Sequence, residues 1–498
     1  MAKDVIVVVQ RDALPKAKES LDILLVSTTG AQPVQVYRDV ESVEAIYGPD
    51  GPTPNAKIVR KAKTLLNQGK TTLATSLVNK FKIVGFKPPN ASPALPATFI
   101  LDFTEVEFAE AIPADKTLWV KIGGDDKALV EVTTTAAVSS AAGFAGLFAN
   151  TSFTKGGKTY TALADAGVVT YTATTPGAAD SIPEQINVYA NEIMTEELTL
   201  LPSATVEFNN GVNAKTAGDA LIDTIQQFQA DEDNDWYYLL TDRDDDEFVK
   251  ALAKFAEASE PTEAELGAGI EDHRKFYMGQ TTNKKFACLT ARAAVIYTDP
   301  AFIDEEPDAS YTGNVAPFYP KNVTWKFKRP QDGNAPTSAG TKLISLPKLK
   351  ESERDALDEN HVNYLTEEYK RQYVKEGVCL NGEFIDVVIG GDWIAKRMRD
   401  LLYDILLNNA NINYGDDGFG LVATAVLQAL AEASDEDHNI VARDQESKSG
   451  IFTVNIPKWS ESTDEQRRNR VMPDITWEAQ LAGAVHQVKS KGALRVSI

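Results

Sequence analysis

Both ends of this 498-residue chain are apolar and β-prone. Residues 5–9 read Val-Ile-Val-Val-Val, and the last six residues close on Ile498 with no polar tail after it. A strand at a chain end presents unpaired N–H and C=O groups, which pairing satisfies. The partner is either the chain's own sheet or the sheet edge of a neighbouring copy, an arrangement called β-augmentation. Both interpretations stay open here, and the second predicts self-assembly.

The charge balance excludes one class of partner. Fifty Lys and Arg residues stand against 72 Asp and Glu, which gives a formal net charge of −22 at pH 7. Such a field repels phosphates, so we expect no direct nucleic-acid partner. The hydrophobic fraction of 43% is ordinary. A chain of this length has room for about three or four domains, each with its own core.

Cysteine usage and the N-terminus favour a soluble protein made in the cytoplasm. Cys288 and Cys379 lie far apart and belong to no metal-ligand spacing, so we expect two buried, reduced thiols. Lys3 and Asp4 precede a short apolar run without a small-residue cleavage site, so we expect no signal peptide. No apolar run approaches the roughly 18 residues of a membrane span, so we expect no membrane insertion.

Composition and periodicity divide the chain into five segments, and they predict a multidomain α/β (α+β) fold with a mixed-sheet core. A proline-rich stretch at 87–96 marks one boundary, because proline removes donors and fixes φ. Short β-prone runs with glycine turns follow it, and apolar strands alternating with 3.6-period helices then return. The predicted segments are an N-terminal arm (1–22), an α/β part of the core (23–90), an inserted mostly-β outer domain (91–205), an α/β domain (206–344) and a C-terminal domain with a terminal strand arm (345–498).

The C-terminal segment carries the longest helical pattern. We predict a helix from Glu353, a strand pair at 378–388, helices over 393–407 and 420–433, and a strand at 475–481. This last run alternates apolar and polar residues, which predicts one buried and one exposed face.

Two segments resemble ligand loops but miss a required glycine. The run Gly69-Lys70-Thr71-Thr72 matches the end of a phosphate-binding loop, yet Thr64 stands where the loop needs its first glycine, so a helix C-cap is the better interpretation. Residues 231–235 alternate like a calcium loop, but Trp236 stands where the sharp turn needs glycine. We interpret the acidic residues through Glu247 as a solvated, helix-capping rim.

No local motif predicts catalysis. Of the four histidines, His438 follows three carboxylates (435–437) that could ligate a metal, but it lies in a polar loop and no second histidine is near it. The sequence contains no GxSxG, HExxH or glycine-rich dinucleotide loop. We therefore predict that the protein is not an enzyme and has no catalytic residue, no cofactor and no metal site.

Three places along the chain resemble the tail sheath proteins of contractile-tailed phages and phage-tail-like particles. The first runs from Val36–Val43 through Tyr47-Gly48 and includes the helix at 56–66. The second is the Thr-Trp-Lys-Phe-Lys run at 324–328, which continues through Asn363-Tyr364, 377–382, Phe384-Ile385-Asp386 and Asp392-Trp393. The third consists of the closing runs 481–488 and 492–498. The likeness spreads over about 23–86 and 206–498, with a variable β insertion between.

The resemblance implies a structural subunit of a contractile sheath. Such subunits stack as hexameric rings in a helical polymer around a tail tube, exchange terminal strands with neighbours, and contract to drive the tube through the target envelope. Implied partners are other copies, the tail tube protein, and baseplate and tail terminator proteins. The implied location is a virion tail or a particle such as a tailocin, assembled in the host cytoplasm. The predicted strand-exchange residues are Val5, Ile6, Val7, Val8, Val9, Val485, Val488, Leu494, Val496 and Ile498.

Two alternatives stay open at this point. One is another self-assembling tail or surface-layer protein, and the other is a cytoplasmic α/β enzyme. The last fourteen residues carry Lys489, Lys491 and Arg495 but no acidic side chain. We expect this arm to dock near carboxylates of a neighbouring copy, for which the acidic segment 231–247 is a candidate.

Overall fold

The computed structural model describes residues 22–68, 78, 80–106, 111–122, 130–155, 157–177, 186–190, 205–209, 213–262, 273–319, 321, 323–337 and 340–486. The predicted strands at the two chain ends, and the Gly69–Thr72 run, lie outside these residues. The described chain forms two compact units. One contains the described parts of residues 1–89 and 221–498, and the other those of residues 90–220.

The described residues form twenty strands. In chain order they are β1 (Ile23–Ser27), β2 (Gln32–Tyr37), β3 (Phe81–Gly85), β4 (Thr98–Asp102), β5 (Thr117–Ile122), β6 (Val130–Thr133), β7 (Ser152–Lys155), β8 (Lys158–Asp165), β9 (Val168–Ala173), β10 (Ile186–Ala190), β11 (Thr205–Asn209), β12 (Tyr238–Thr241), β13 (Phe276–Thr281), β14 (Ala293–Tyr297), β15 (Gln331–Thr337), β16 (Gly340–Leu343), β17 (Asn363–Glu368), β18 (Arg371–Val374), β19 (Phe452–Asn455) and β20 (Thr476–Ala479).

Ten α-helices lie in the same residues, together with short 3-10 turns at Pro300–Glu305, Ala316–Phe318 and Trp459–Glu461. The helices are α1 (Val40–Tyr47), α2 (Ala56–Asn67), α3 (Ala141–Leu147), α4 (Ala217–Asp231), α5 (Asp246–Ala258), α6 (Pro307–Val315), α7 (Glu351–Glu359), α8 (Ile385–Asn408), α9 (Asp416–Ala433) and α10 (Asp464–Asn469).

An eight-stranded sheet, in the order β18-β17-β14-β13-β12-β1-β3-β2, organises the first unit. The six central strands are mutually parallel, whereas β2 and β18 pair antiparallel at the two edges. Every residue of β1, β12 and β14 is buried. Central strands of a parallel sheet are covered on both faces, which is why these runs are continuously apolar instead of alternating.

The helices of this unit begin where the sequence places capping side chains. Asp39 accepts a hydrogen bond from the Ser42 backbone at the start of α1, and Asn55 does the same for Ile58 at the start of α2. The buried face of α2 joins the core that the sheet forms with α6. The structure thus has the predicted multidomain α/β class, with one large mixed sheet and several small sheets. That large sheet takes strands from three of the predicted segments, whose borders stay a prediction.

The predicted strand pair at 378–388 is wrong. Its place is taken by a single bridge between Val378 and Phe384 and by the start of α8 at Ile385. The actual hairpin, β17–β18, lies ten to fifteen residues earlier. A short Val-Val-Ile run fits a strand or a buried helix equally well, and length decides between them. Here the run is the first turn of a helix of 24 residues.

Residues 385–486, called the C-terminal module below, are built on the helix pair α8–α9. Its core is formed by apolar side chains of the two helices and of the segment that follows them: Trp393, Ile394, Met398, Leu401, Ala425, Val426, Ala429, Leu430, Ala433, Ile440 and Val441. The two-stranded sheet β19–β20 packs against this core through Phe452, Val454 and Ala479.

The second unit is mostly β, as predicted for the inserted segment. It contains a five-stranded antiparallel sheet (β11-β4-β9-β8-β7), a three-stranded sheet (β10-β5-β6) and α3. Its core is rich in aromatic rings, which pack in edge-to-face, tilted and stacked pairs: Phe99, Phe103, Phe144, Phe148, Phe153, Tyr160 and Tyr171. Aromatic packing of this kind gives a small unit a large buried area.

Both cysteines are free thiols. Cys379 is buried in the core of the first unit, and Cys288 is half-buried. Burial raises the pKa of each thiol, well above its usual value in the case of Cys379. Among the residues described above, no helix has both the length and the apolar character needed to cross a membrane.

Candidate assembly surfaces

One of the ten predicted strand-exchange residues, Val485, lies in the described part of the chain. Its side chain is 75% exposed and belongs to no strand. The other nine, Val5, Ile6, Val7, Val8, Val9, Val488, Leu494, Val496 and Ile498, lie outside the described residues. Their role in strand exchange therefore stays a prediction.

His486 fixes the point from which the last twelve residues continue. Its Nε2 lies 3.0 Å from the Thr324 hydroxyl, and its ring meets the Phe384 ring edge to face at 4.8 Å. Thr324 opens the Thr-Trp-Lys-Phe-Lys run, whose Trp325 is buried in the core of the large sheet. His486 is thus held beside a residue of the large sheet's core.

The sheet β19–β20 has only two strands within the described residues. Phe452 faces Ala479, Asn455 faces Thr476, and each strand is four residues long. An isolated two-stranded sheet is at best marginally stable in water, and it needs further strands or a packing partner. Here the packing partner is the core of the C-terminal module on one face, whereas the outer edges carry no third strand from the described chain.

The predicted alternation of buried and exposed residues at 475–481 is wrong in one respect. Thr476, Trp477 and Glu478 are all exposed, and Trp477 is 41% accessible. Trp477 shares its face of β20 with Ile475 and Ala479, which pack against the core of the C-terminal module. The opposite face carries the polar residues Thr476 and Glu478, so the exposed part of the Trp477 ring is apolar area that the described residues leave uncovered on the packed face.

Exposed apolar side chains concentrate in the C-terminal module. Of the nineteen large hydrophobic residues that are exposed in the described chain, eleven lie between positions 406 and 485. They are Leu406, Leu407, Leu421, Leu427, Ile451, Ile456, Trp459, Val471, Trp477, Leu481 and Val485. Large exposed apolar area marks interaction surfaces in soluble proteins.

The candidate ion-binding residues engage in ordinary structural bonds. His438 pairs with Asp435 through Nδ1 at 2.8 Å, and its ring lies 4.3 Å from that of Trp393. Within the described residues, no three His, Cys, Asp or Glu side chains converge as metal ligands would.

The acidic segment 231–247 is only in part the solvated, helix-capping rim that its composition predicts: Asp245 and Glu247 are exposed at the start of α5, whereas Asp242, Asp244 and Asp246 are engaged by other side chains. Asp242 accepts hydrogen bonds from the Thr28 backbone at 2.8 Å, from the Thr28 hydroxyl at 2.9 Å and from the Asn55 amide at 2.6 Å. Asp244 pairs with Lys57, and Asp246 accepts from Asn283 and Thr281. These carboxylates follow β12 directly, so they face the ends of the neighbouring parallel strands and not open water.

A buried ionic cluster continues from this edge. The Lys61 ammonium, fully buried, contacts Asp308 and lies 3.4 Å from Glu306, which also accepts from Arg60 at 3.0 Å. Burial raises the pKa of Glu306, and the neighbouring cations oppose that change. Ligands of α/β sheets commonly bind at the carboxyl ends of the strands. Here that edge is filled by side chains bonded to one another.

The amino ends of the same strands meet at one carboxylate, Asp392, for which the sequence predicted no contact. Asp392 on α8 accepts from Tyr237 at 2.5 Å, from Arg274 at 3.2 Å and from Arg292, each of which comes just before one of the strands β12, β13 and β14. Arg292 is almost fully buried. Asp392 thus ties the C-terminal module to three adjacent strands of the large sheet.

No family model and no curated protein matches this sequence. Solved structures that are similar to this chain include the following three, each at 12% identity. The helical sheath of the anti-feeding prophage in its contracted state covers 98% of this chain and 98% of its own, with a TM-score of 0.46. A sheath tail protein from Desulfitobacterium hafniense covers 90% and 93%, with a TM-score of 0.41. A chain of the anti-feeding prophage baseplate covers 57% and 76%, also at 0.41.

Proposed function

We propose that this chain is the structural subunit of a contractile tail sheath. Copies polymerise as stacked hexameric rings around a tail tube, with the terminal strands of one copy completing sheets in its neighbours. Contraction of the polymer then drives the tube through the envelope of the target cell. The tube, the baseplate and the tail terminator are the other partners in this proposal, and the particle is assembled in the host cytoplasm.

The observation that carries the proposal is the incomplete sheet β19–β20. It is anchored on one face, exposes Trp477, and offers two outer edges to which the described chain adds no strand. A chain whose two ends are apolar and β-prone supplies suitable strands, and added strands gain ladder hydrogen bonds at such edges. The first unit supports the rest of the proposal, because its buried parallel sheet provides a rigid body that can move as a whole.

Strand exchange also suits a polymer that must contract. A ladder of hydrogen bonds is local and directional, so it persists while a connecting segment hinges. Body-to-body contacts can then change between an extended and a lower-energy contracted packing, and the strand ladders keep neighbours linked throughout.

Truncation of either chain end tests the proposal. Removal of residues 1–10 or of residues 493–498 should abolish polymer and leave a soluble monomer with nearly unchanged thermal unfolding. Each ladder bond contributes about 1 kcal/mol net, and each fully buried Val or Leu adds about 1.5–3 kcal/mol, a sum repeated over every subunit of a ring. Negative-stain microscopy and differential scanning calorimetry supply the two measurements.

A matched pair of variants distinguishes the loss of strand pairing from the effect of an added negative charge. Leu494→Asp with Val496→Asp changes one face of the predicted last strand, whereas Ser497→Asp places a carboxylate on the opposite face. We expect the first variant to lose tubes and the second to retain them. A truncated chain that still builds tubes of normal length would contradict strand exchange. A wild-type chain that stays monomeric and binds nucleotide would favour the enzyme alternative.

A further inference from the structure

Three buried side chains that can react with one another meet beside the carboxyl ends of the parallel strands. Lys61 lies on α2, Glu306 is the N-cap residue of α6, and Asp308 lies in the first turn of that helix. Their exposed fractions are 0%, 0% and 2%. An amine and a carboxyl group that are held in contact and away from water are the two reactants of an amide bond.

The contacts of Asp308 give its two oxygens different roles. Oδ2 contacts the Lys61 ammonium, whereas Oδ1 accepts a hydrogen bond from the Ala309 backbone N–H at 2.7 Å. Asp308 also belongs to the first turn of a nine-residue helix, where the helix dipole stabilises negative charge. A negative charge that develops on Oδ1 therefore meets a donor that is already in place, as in an oxyanion hole.

Glu306 is placed to move a proton between the two reactants. Its Oε1 accepts a hydrogen bond from Arg60 Nε at 3.0 Å, and its Oε2 lies 3.4 Å from Lys61 Nζ. Burial raises the pKa of Glu306, which makes its carboxylate a stronger base toward the Lys61 nitrogen. The residue has a φ of 49°, and backbone strain of this kind at a residue other than glycine clusters at functional sites.

We propose that Lys61 and Asp308 form an intramolecular isopeptide bond, with Glu306 as the catalytic residue. The reaction takes place once in each chain, so it does not make the protein an enzyme that turns over a substrate. It lies inside one subunit and does not depend on the sheath proposal. Well-oriented groups in contact react as if present at about 10⁵–10⁸ M, which is how a carboxyl group without an activating agent can form an amide.

The reaction needs no oxidant and no second substrate. One proton passes from the Lys61 ammonium to the Asp308 carboxylate, which leaves an amine beside a carboxylic acid. Nζ attacks Cγ, so a C–N bond forms and an electron pair moves onto Oδ1. Glu306 takes a proton from Nζ and gives it to Oδ2; the carbonyl then re-forms, the Cγ–Oδ2 bond breaks and water leaves. An ammonium and a carboxylate thus become one amide and one water molecule.

The bond joins α2 to α6 across 247 positions of the chain. The loop that it closes contains β3, β12, β13 and β14, which are four of the six parallel strands of the large sheet. A cross-link constrains the unfolded chain, and this constraint grows with the length of the loop. The cross-linked subunit should therefore unfold at a higher temperature than a variant that cannot form the bond.

Mass spectrometry of the denatured full-length chain tests the proposal. We expect a mass that is lower than that of the sequence by one water molecule, and a proteolytic fragment in which Lys61 and Asp308 are joined. Lys61→Arg keeps a positive charge beside Asp308 but supplies no amine, so its mass should equal that of its own sequence. Glu306→Gln keeps the size of the side chain but removes the base. It should slow formation of the bond after cell-free synthesis by about 10²–10⁴-fold.

Two further variants distinguish the reaction from an effect on folding. In Asp308→Asn the side-chain amide can react with Lys61 and release ammonia, so the cross-linked product should have the same mass as the wild-type product. The matched control is Asp358→Ala. Asp358 contacts Lys375, but the two side chains are 36% and 30% exposed, and water keeps such a pair ionised. The mass deficit should therefore persist in this control.

The outcomes separate clearly. A folded wild-type chain whose mass equals that of its sequence would overturn the proposal and show that the cluster is an ion pair only. A mass deficit that persists in Lys61→Arg, or a fragment that joins other residues, would contradict the choice of Lys61 and Asp308. Circular dichroism shows whether each variant folds. Tubes in negative-stain microscopy bear on the sheath proposal alone, so the two proposals can fail independently.

Discussion

The large sheet and the sheet β19–β20 are opposites within one chain. The large sheet has eight strands, and its central strands are buried along their whole length. The small sheet has two strands of four residues, and exposed side chains outnumber covered ones on β20. The large sheet pairs its central backbone groups and buries its apolar side chains within the described chain. The small sheet leaves part of its backbone unpaired and part of its apolar area exposed there.

The difference indicates that the large sheet stabilises the fold of one subunit, whereas the small sheet is suited to assembly. A buried parallel sheet derives its stability from area removed from water, so it needs no partner. An open two-stranded sheet gains most when a further strand arrives. Substitutions in the two sheets should therefore act on different measurements, and the following experiments test that separation.

The largest effect should come from Asp392, which holds the amino ends of three strands of the large sheet. Asp392→Ala leaves the Arg292 guanidinium buried without its carboxylate, and loss of one partner of a buried pair costs about 3–5 kcal/mol. We expect the free energy of unfolding in urea to fall by that amount.

The control for this variant lies in the C-terminal module. Asp464 pairs with Arg467 at 2.9 Å, but its side chain is 87% exposed. Asp464→Ala should change the free energy of unfolding by no more than about 1 kcal/mol, because exposed pairs are screened by water and salt. Equal losses of unfolding free energy from Asp392→Ala and Asp464→Ala would contradict the role of Asp392 in holding the strands of the large sheet.

A leucine pair compares the two sheets directly. Leu240 in β12 is fully buried, and Leu481, two residues beyond β20, is 47% exposed. Leu240→Ala should destabilise the fold by about 2–5 kcal/mol, whereas Leu481→Ala should cost about 1 kcal/mol, because half of its side chain is already hydrated. Calorimetry measures both losses. If the small sheet serves assembly, Leu481→Ala should also slow tube formation more than its small loss of stability explains.

The smallest effects concern pH, and two carboxylates, one at the start of α8 and one just before β19, should respond with opposite sign. Burial raises the pKa of Asp386, at the start of α8, so the folded state holds its proton where the unfolded chain has released it. Stability from this group is present at low pH and falls as pH rises above about 4. Asp386→Asn should therefore gain stability relative to wild type between pH 4 and pH 7, on the order of 1 kcal/mol.

Asp444, in the turn before β19, provides the opposite case. Hydrogen bonds from the Ser447 backbone and hydroxyl lower the pKa of this exposed carboxylate. Its stabilising effect is present above about pH 4 and is lost as pH falls through the lowered pKa. Asp444→Asn should thus lose stability relative to wild type as pH rises from 2 to 5. Urea unfolding at stepped pH measures both slopes, and slopes of the same sign would contradict this assignment.

The core of the large sheet could be predicted from the sequence, because its signals are local. Continuous apolar runs of the kind that forms β1 and β14 indicate buried strands, and the period of 3.6 predicted the helices at 393–407 and 420–433, which are parts of α8 and α9. Strand order could not be predicted, since the pairing of β1 with both β3 and β12 depends on partners distant in sequence. The role of Asp392 was missed for the same reason, since the three residues that it joins lie 100, 118 and 155 positions before it.

The errors arose where local preference and tertiary context disagree. The hairpin β17–β18 was missed because Tyr369-Lys370 lacks the glycine or asparagine that marks a two-residue turn. The acidic segment 242–246 was assigned to solvent because charge predicts exposure. The carboxylates of Asp242, Asp244 and Asp246 instead accept hydrogen bonds at the strand ends. Nine of the ten residues predicted for strand exchange lie outside the described chain, so that part of the candidate site rests on sequence alone.

The position of the inserted unit has a consequence for folding speed. About 150 residues separate β3 from β12, and both pair with β1. The entropic cost of closing a loop grows with the logarithm of its length. If the unit at 90–220 folds first, the flexible part of that loop shrinks to roughly twenty residues, which lowers the closure cost by about 1–2 kcal/mol. An insertion that folds on its own thus shortens the search by which the two halves of the large sheet meet.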